Sequence, residues 1–462
     1  MTDILTGIQG SVWGIPLIAL LLFTGFNYTV LLRGIQFRGL GRGIWLAFVR
    51  RREEGGEREG DVSHYQALMT ALAATVGIGN IVGVATALVA GGPGALFWMW
   101  VAGLLGMATK YAEAVLGVRF RETDQRGEKA GGPMYYLEHG LGGGKLGRGL
   151  AVAFAVFATL ASFGIGNAVQ SQAVASAIND SFGIAEWIVG IVVALGVGAV
   201  IIGGIKTIGR FAGVFVPSMI LLYAGGAGLV LILNADQVPV AFRLVFENAF
   251  GSRAAAGGAL GYTMLQAARF GVARGMFSNQ SGLGSSAIAA AAAQTREPVS
   301  QALVSMIGTF IDTIVVSTFT GLAILATGAL ESGRDGANMT QLAFEAGLPG
   351  GVGGIFVALA LTLFGFSTII GWSYYGERSL AYLGGERTIR WYRFVFVLVV
   401  AASAVVELDV VWLVSDILNA LMAAPNLLGL LLLSGIVRRE TRLYFSKRKS
   451  ATGGGSGRAV SR

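Results

Sequence analysis

The chain has 462 residues, of which 54% are hydrophobic and 13% charged, about half the ~25% charge of an ordinary soluble domain. Too few charges remain to cover a soluble fold of this length, and the apolar content excludes intrinsic disorder. With no cysteine and only His64 and His139, disulfides, thiolate centres and a cysteine nucleophile are ruled out, and a multi-histidine metal site has little to be built from.

A bilayer core of ~30 Å requires ~20 apolar residues per helix. Eleven such runs occur, near 12–32, 66–90, 94–118, 150–178, 185–205, 211–234, 258–294, 299–330, 351–377, 391–406 and 410–437. They predict an all-α polytopic membrane protein. The first run follows a leader, Met1 to Ser11, that holds no Lys or Arg, and it is too long for a signal-peptide core, so it reads as a genuine helix. Runs 258–294 and 299–330 exceed what one straight span needs.

Eleven spans place the termini on opposite faces. With the N-terminus outside, the inside loops and tail hold 28 Lys and Arg and the outside three, Arg243, Arg253 and Arg334. Net charge is then about +16 inside and −7 outside, so the positive-inside rule fixes N-out, C-in. The basic tail RRETRLYFSKRK (438–449) reads as a juxtamembrane segment beside anionic lipid rather than a nucleic-acid site, and Ala451 to Arg462 as disordered.

Two spans are poor helices. The second carries ATVGIGNIVGVATA (74–87) and the seventh RFGVARGMFSNQSGLGSS (269–286), each glycine-rich, the latter with Ser278-Asn279-Gln280-Ser281 at membrane depth. Each glycine costs ~1 kcal/mol of helix propensity relative to alanine. Unpaired backbone cannot face lipid, so such breaks survive only inside protein or beside a cavity. Tight small-residue packing is the plain alternative for either span alone. Their positions weigh against it: the second span opens one group of five and the seventh the next, and an odd repeat length inverts the second group. Matched interruptions in two inverted halves point to a transporter's site. The predicted architecture is a 5+5 inverted repeat behind one extra helix: 1–33 the extra helix, 34–65 a cytoplasmic loop, 66–234 the first repeat, 235–257 an extracellular loop, 258–437 the second repeat, 438–462 the tail. Half-helix N-termini suit a carboxylate, and unwound carbonyls suit an ammonium or a cation.

At these residues the sequence resembles the alanine or glycine:cation symporters, also called sodium:alanine symporters, over nearly its whole length. The resemblance is carried by GGPGALFWMW (91–100), TVGIGNIVGVATA (75–87), KYAE (110–113), GGPMYYLE (131–138), SFGIGNAVQ (162–170), the S-N-x-x-G-x-G-S run (278–285) and GWSYYGER (371–378). It implies the leucine-transporter (LeuT) fold of the amino acid–polyamine–cation superfamily with an extra N-terminal helix, and a small neutral amino acid, alanine or glycine, as substrate. One departure stands out. The family usually has Asn-Glu-Ala-Gly where this chain reads Asn279-Gln280-Ser281-Gly282, so an amide replaces a carboxylate. Sodium is the expected co-transported ion, with proton as the alternative.

By the resemblance, substrate contacts fall on Thr75, Gly77, Gly79 and Asn80 at the first break, on Gly164, Gly166 and Gln170 in span 4, on Phe277, Ser278 and Asn279 at the second break, and on Trp372 in span 9. Sodium falls to Ser367 and Thr368 with Thr75 and Ile78. Plainer roles exist: Asn80 as a cap, Ser367 and Thr368 back-bonded to the preceding turn, Phe277 and Trp372 as packing. Asp312 and Gln280 are candidates for coupling. Asp312 has no local partner, and Arg269 or Arg274 would neutralise it. Glu113 has Lys110 at i−3, which accounts for both as an intrahelical pair. Glu377 and Asp416 lie near helix ends, within reach of water.

GGPMYYLE reads as an interfacial helix of an intracellular gate region. No Walker lysine motif occurs, which disfavours ATP as a driver. The reading is a symporter of the plasma membrane (the inner membrane of a bacterial or archaeal cell), with one chain as the transport unit and no enzymatic activity. A channel is the rival from another class, but two dissimilar broken helices in one chain argue against a repeated filter.

Overall fold

The computed structural model describes residues 2–50, 60–250, 264–406 and 408–453. They are almost entirely helical; the lone sheet among them is a two-stranded hairpin. A helix lies under each of the eleven apolar runs. Seven helices are long and apolar enough to cross a membrane, or eight when the broken pair in the second run counts as one span.

The chain opens with Thr2–Val12 and then α1 (Ile15–Leu31). The loop expected over 34–65 holds a helix of its own, Ile35–Ile44. Next comes α2 (His64–Thr75), started by a capping box: Ser63 accepts from the Gln66 N–H while the Gln66 side chain accepts from the Ser63 N–H. After a break follow α3 (Val82–Gly91) and α4 (Gly94–Arg119). The hairpin β1 (Glu122–Thr123) and β2 (Lys129–Ala130) and the short helix α5 (Pro133–Gly140) lead to α6 (Lys145–Phe163), a π-helical turn Gly164–Ala168, and α7 (Val169–Phe182). Then come α8 (Glu186–Ile201), α9 (Gly204–Leu233) and a surface helix Val238–Ala249 within the segment expected as a loop. The second half runs α10 (Met264–Asn279), α11 (Ser285–Ala291), α12 (Pro298–Thr309), a π-helical turn Phe310–Ser317, α13 (Thr318–Ala326), α14 (Gly353–Gly384), α15 (Thr388–Ser403) and α16 (Leu408–Leu432). The basic tail is helical as far as Gly453 (α17, Ser434–Gly453), so part of the stretch expected to be disordered is ordered; 454–462 lie outside the described residues, as does Arg253.

Burial runs opposite to a soluble protein. α9 turns Val214, Leu221 and Ile232 outward, each more than 70% exposed, while the buried set includes Lys110, Glu113, Asp312 and Glu377. An apolar exterior around a polar interior is the arrangement a bilayer selects. α4 is the most enclosed of the long helices, and it packs against α10, α11 and α12. It thereby lies alongside both described pieces of the interrupted seventh segment.

Candidate functional site

The first break follows Thr75. Val76 and Gly77 are extended, a short 3₁₀ turn covers Ile78–Asn80, and the two helical pieces are bent by 62°. Asn80 organises the restart, its Oδ1 accepting from the Gly77 N–H at 3.0 Å. Gly77 is required by close approach: a Cβ there would collide with Thr368 Oγ1 and stand 3.5 Å from Gln170 Oε1. Gln170 donates through Nε2 to Ile165 O (3.0 Å), but its buried Oε1 accepts from none of the described residues. Ser367 Oγ lies 2.9 Å from Phe364 O and 3.3 Å from Ala73 O, and Thr368 Oγ1 donates to Phe364 O at 2.9 Å. These back-bonds use the hydroxyl protons and leave lone pairs. The Thr75 hydroxyl reaches only to Leu72 O, at 3.5 Å. Thr368 Oγ1 and Gln170 Oε1 thus face Gly77, and Ser367 Oγ stands against Ala73 O near the end of α2. Gly79 rests on the other wall, where a Cβ would touch Phe277 and Ser278 at 3.4 Å.

The second break runs from Asn279 to Gly284, with positive φ at Gln280 (58°), Gly282 (93°) and Gly284 (82°). Its helix ends are filled by the protein itself. Lys110 Nζ donates to Asn279 O at 2.7 Å, at the carbonyl end of α10. Glu113 Oε1 accepts from the N–H groups of Gly282 (3.0 Å) and Gly284 (2.9 Å) and from Asn426 Nδ2 (2.8 Å), at the amide end that begins α11. One helix therefore places a cation and an anion on opposite dipole ends of a broken neighbour. The expected Lys110–Glu113 pair does not form; each side chain turns to the break instead. The physical reason is satisfaction of the break: a buried polar group left unpaired costs ~1–3 kcal/mol or more, and turning to the break pairs its orphaned carbonyl and amides while the two charges stay one turn apart and still attract.

Asp312 joins the two breaks. It lies in the π-helical turn between α12 and α13. Asn80 Nδ2 donates to its Oδ1 (3.0 Å) and also reaches Ser317 Oγ (3.1 Å). Ser278 and Thr313 donate to its Oδ2 at 2.9 and 2.8 Å. Among the described residues it makes no ion pair. Arg274, expected as its partner, instead pairs with Asp416 at 3.4 Å. A second link crosses at Gln280: Nε2 donates to Ala74 O (2.7 Å) at the end of α2, and Oε1 accepts from Ser285 Oγ (2.7 Å). Asn279 Nδ2 donates to Thr313 Oγ1 at 2.9 Å.

The remaining predicted residues flank this core. Gly166 abuts Trp372, which is fully buried with its indole N–H unpartnered, and Gly164 abuts Ser415. Phe277 stacks on Trp412 with centroids 5.2 Å apart, and the Arg274 guanidinium lies 5.6 and 5.7 Å from the two ring centroids. This stack borders a cavity of about 700 Å³ whose lining runs from Asp180 and Asp335 to Ile78 of the first break, with Arg274, Trp412 and Asp416 on its wall. Asp416 thus faces an opening, but Glu377, expected within reach of water, is fully buried and held by Arg393 at 2.6 Å. Sequence reasoning missed Arg274, Trp412 and Asp416 as a set. Their signal was a cation and an acid at similar depth in separate spans, which only the fold brings together.

The sodium:alanine symporter family matches residues 1–454. The chain is 49% identical over 447 residues to the sodium/alanine symporter AgcS of Methanococcus maripaludis, covering 96% of this chain and 97% of that protein. It is 48% identical over 449 residues to an uncharacterized transporter of Haemophilus influenzae, covering 97% of each. Among solved structures, MhsT in complex with L-phenylalanine superposes with a TM-score of 0.57 at 15% identity, over 84% of this chain and 99% of that one. That likeness concerns the fold alone, which is LeuT-like. Helices, broken segments and whole-length similarity converge: the chain belongs to the sodium:alanine symporter family.

Proposed function

We propose that the chain imports a small neutral amino acid, alanine or glycine, together with sodium, across a plasma membrane by alternating access. It does so as eleven spans, one helix followed by two inverted repeats of five, with the N-terminus outside. The observation that carries the site is the contrast between the two breaks. Lys110 and Glu113 already occupy the helix ends of the second. The first keeps free acceptors at Gln170 Oε1 and on the hydroxyls beside Gly77. Substrate sits there, its carboxylate toward the backbone N–H groups of Ile78 and Gly79, since those of Gly77 and Asn80 are held within the turn, and its side chain toward Phe277. Sodium, a hard cation, takes oxygens of Ser367, Thr368 and the carbonyls about the first break. Sodium and substrate each stabilise the occluded state, and that reciprocal linkage couples them.

A specific observation favours proton as the second reading. Asp312 is a buried carboxylate held by neutral donors without an ion pair, and intramembrane acids of this kind serve as proton relays. Uptake of labelled alanine into proteoliposomes decides between them. Saturable uptake driven by an inward sodium gradient is expected; uptake indifferent to sodium and driven by a proton gradient alone would replace sodium by proton.

A further inference from the structure

A groove of about 660 Å³ lies between α8 and α15, at the end next to the β1–β2 hairpin. Its wall is apolar and faces outward: Ile202 is 74% exposed and Phe394 59%, with Val397 and Gly198 closing its back. Four arginines and one acid, Glu386, ring it. Arg393 is committed, its Nε and Nη2 on Glu377 (2.6 and 3.1 Å) and its Nη1 on Ile202 O (2.8 Å). Arg126 is committed as well, lying 3.3 Å from Glu128 and 3.5 Å from Glu386. Arg387 and Arg390 are exposed, and among the described residues neither has an ion-pair or hydrogen-bond partner. Two uncompensated cations therefore stand at the rim of an apolar trough on a membrane-embedded surface.

We propose that this groove binds an anionic diacyl phospholipid, its phosphodiester on Arg387 and Arg390 and its acyl chains along Ile202, Phe394 and Val397. Charge complementarity selects the occupant. A zwitterionic lipid would bring an ammonium toward two arginines, a free phosphate would leave the apolar wall uncovered, and a second copy of the chain would set like charges against each other. Basic pockets between membrane helices on the cytoplasmic side recognise such headgroups. The site rests on the proposed orientation, which puts the rim in the cytoplasmic leaflet.

The test uses full-length protein in mild detergent, offered equal phosphatidylglycerol and phosphatidylcholine, with retained lipid read by native mass spectrometry. Wild type is expected to retain phosphatidylglycerol preferentially. The R387A/R390A variant should lose about thirtyfold of that preference, roughly fivefold per arginine, whereas R438A/R439A in the basic tail should keep it. R387Q/R390Q serves the same purpose if the alanine pair does not fold. Equal retention of the two lipids, an unchanged preference in the double variant, displacement by inorganic phosphate, or a lipid-free dimer would each overturn the proposal. Retention in detergent is independent of orientation, so an error in the assigned topology would appear in accessibility labelling and not here.

Discussion

Glu113 supplies the sharpest test of how the second break is held. In Glu113→Gln the side chain keeps an oxygen for the Gly282 and Gly284 N–H groups but loses its charge and puts an amide where a carboxylate oxygen stood. A hydrogen bond to a charged group contributes about 1.5–3 kcal/mol against 0.5–1.5 for a neutral one. The three short contacts to Oε1, from the two glycine amides and Asn426 Nδ2, carry most of the difference, with Ser286 Oγ at 3.5 Å from Oε2 adding little. The loss is therefore about 3 kcal/mol. Lys110, left as a buried cation without its counter-charge, adds to it. Residues one turn apart are ~6 Å apart, and at an effective dielectric of about 20 their attraction is roughly 3 kcal/mol. That attraction is already gone once either charge is removed. Hence the double variant Lys110→Met/Glu113→Gln is expected to be less destabilised than the sum of the single variants by about 2–3 kcal/mol. Reversible unfolding in mixed micelles measures all four proteins, and saturable alanine uptake reports whether the survivors still transport. Strict additivity of the two substitutions, or a Glu113→Gln protein as stable as wild type, would refute the assignment of these charges to the two ends of the break.

Three further outcomes are expected. Thr368→Ala removes the hydroxyl against Gly77 and should raise the sodium concentration needed for half-maximal uptake by about tenfold, the effect of ~1.4 kcal/mol; unchanged sodium dependence would remove Ser367 and Thr368 from the cation site. Gln280→Glu replaces the donor to Ala74 O by an acceptor, so the two oxygens repel unless the acid is protonated. Uptake by that variant should fall as pH rises, more steeply than wild type assayed alongside; matching pH profiles would mean that the Gln280–Ala74 link does not matter for transport. Because the chain has no cysteine, single introduced cysteines report topology cleanly. Ser332→Cys should react with an impermeant maleimide from outside intact cells and Thr388→Cys only after permeabilisation; the reverse pattern would invert the proposed orientation.

The broad architecture was legible because its signals are one-dimensional. Apolar run length marks a helix, and glycine clusters at 77–83 and 271–284 mark where helices fail. Contacts across the fold were not legible. Lys110 and Glu113 stand at the spacing of an intrahelical pair, and nothing in that spacing says that two orphaned helix ends lie alongside. By charge alone Asp312 calls for an arginine; its partners are instead the amide of Asn80 and the hydroxyl of Ser278, from two other segments, and the hydroxyl of its neighbour Thr313. Ser367 and Thr368 were found by resemblance, and their position against Ala73 and Gly77 required the fold. At the outer cavity Arg274 lies more than 130 positions from Trp412 and Asp416, and no local pattern could join it to them.

The filling of the second break also bears on voltage. Lys110 and Glu113 sit one turn apart on one helix, so they occupy nearly the same depth and carry opposite charge. A segment that moves with both of them through the membrane field does almost no net electrical work. A single uncompensated charge crossing the whole field would instead exchange about 2.3 kcal/mol per 100 mV. Among the described core residues this leaves Asp312 as an acid with neither an ion pair nor an opposite charge one turn away on its own helix, so the voltage sensitivity of a transport current should follow the co-transported cation and that carboxylate, and it should be nearly unchanged when Lys110 and Glu113 are neutralised together.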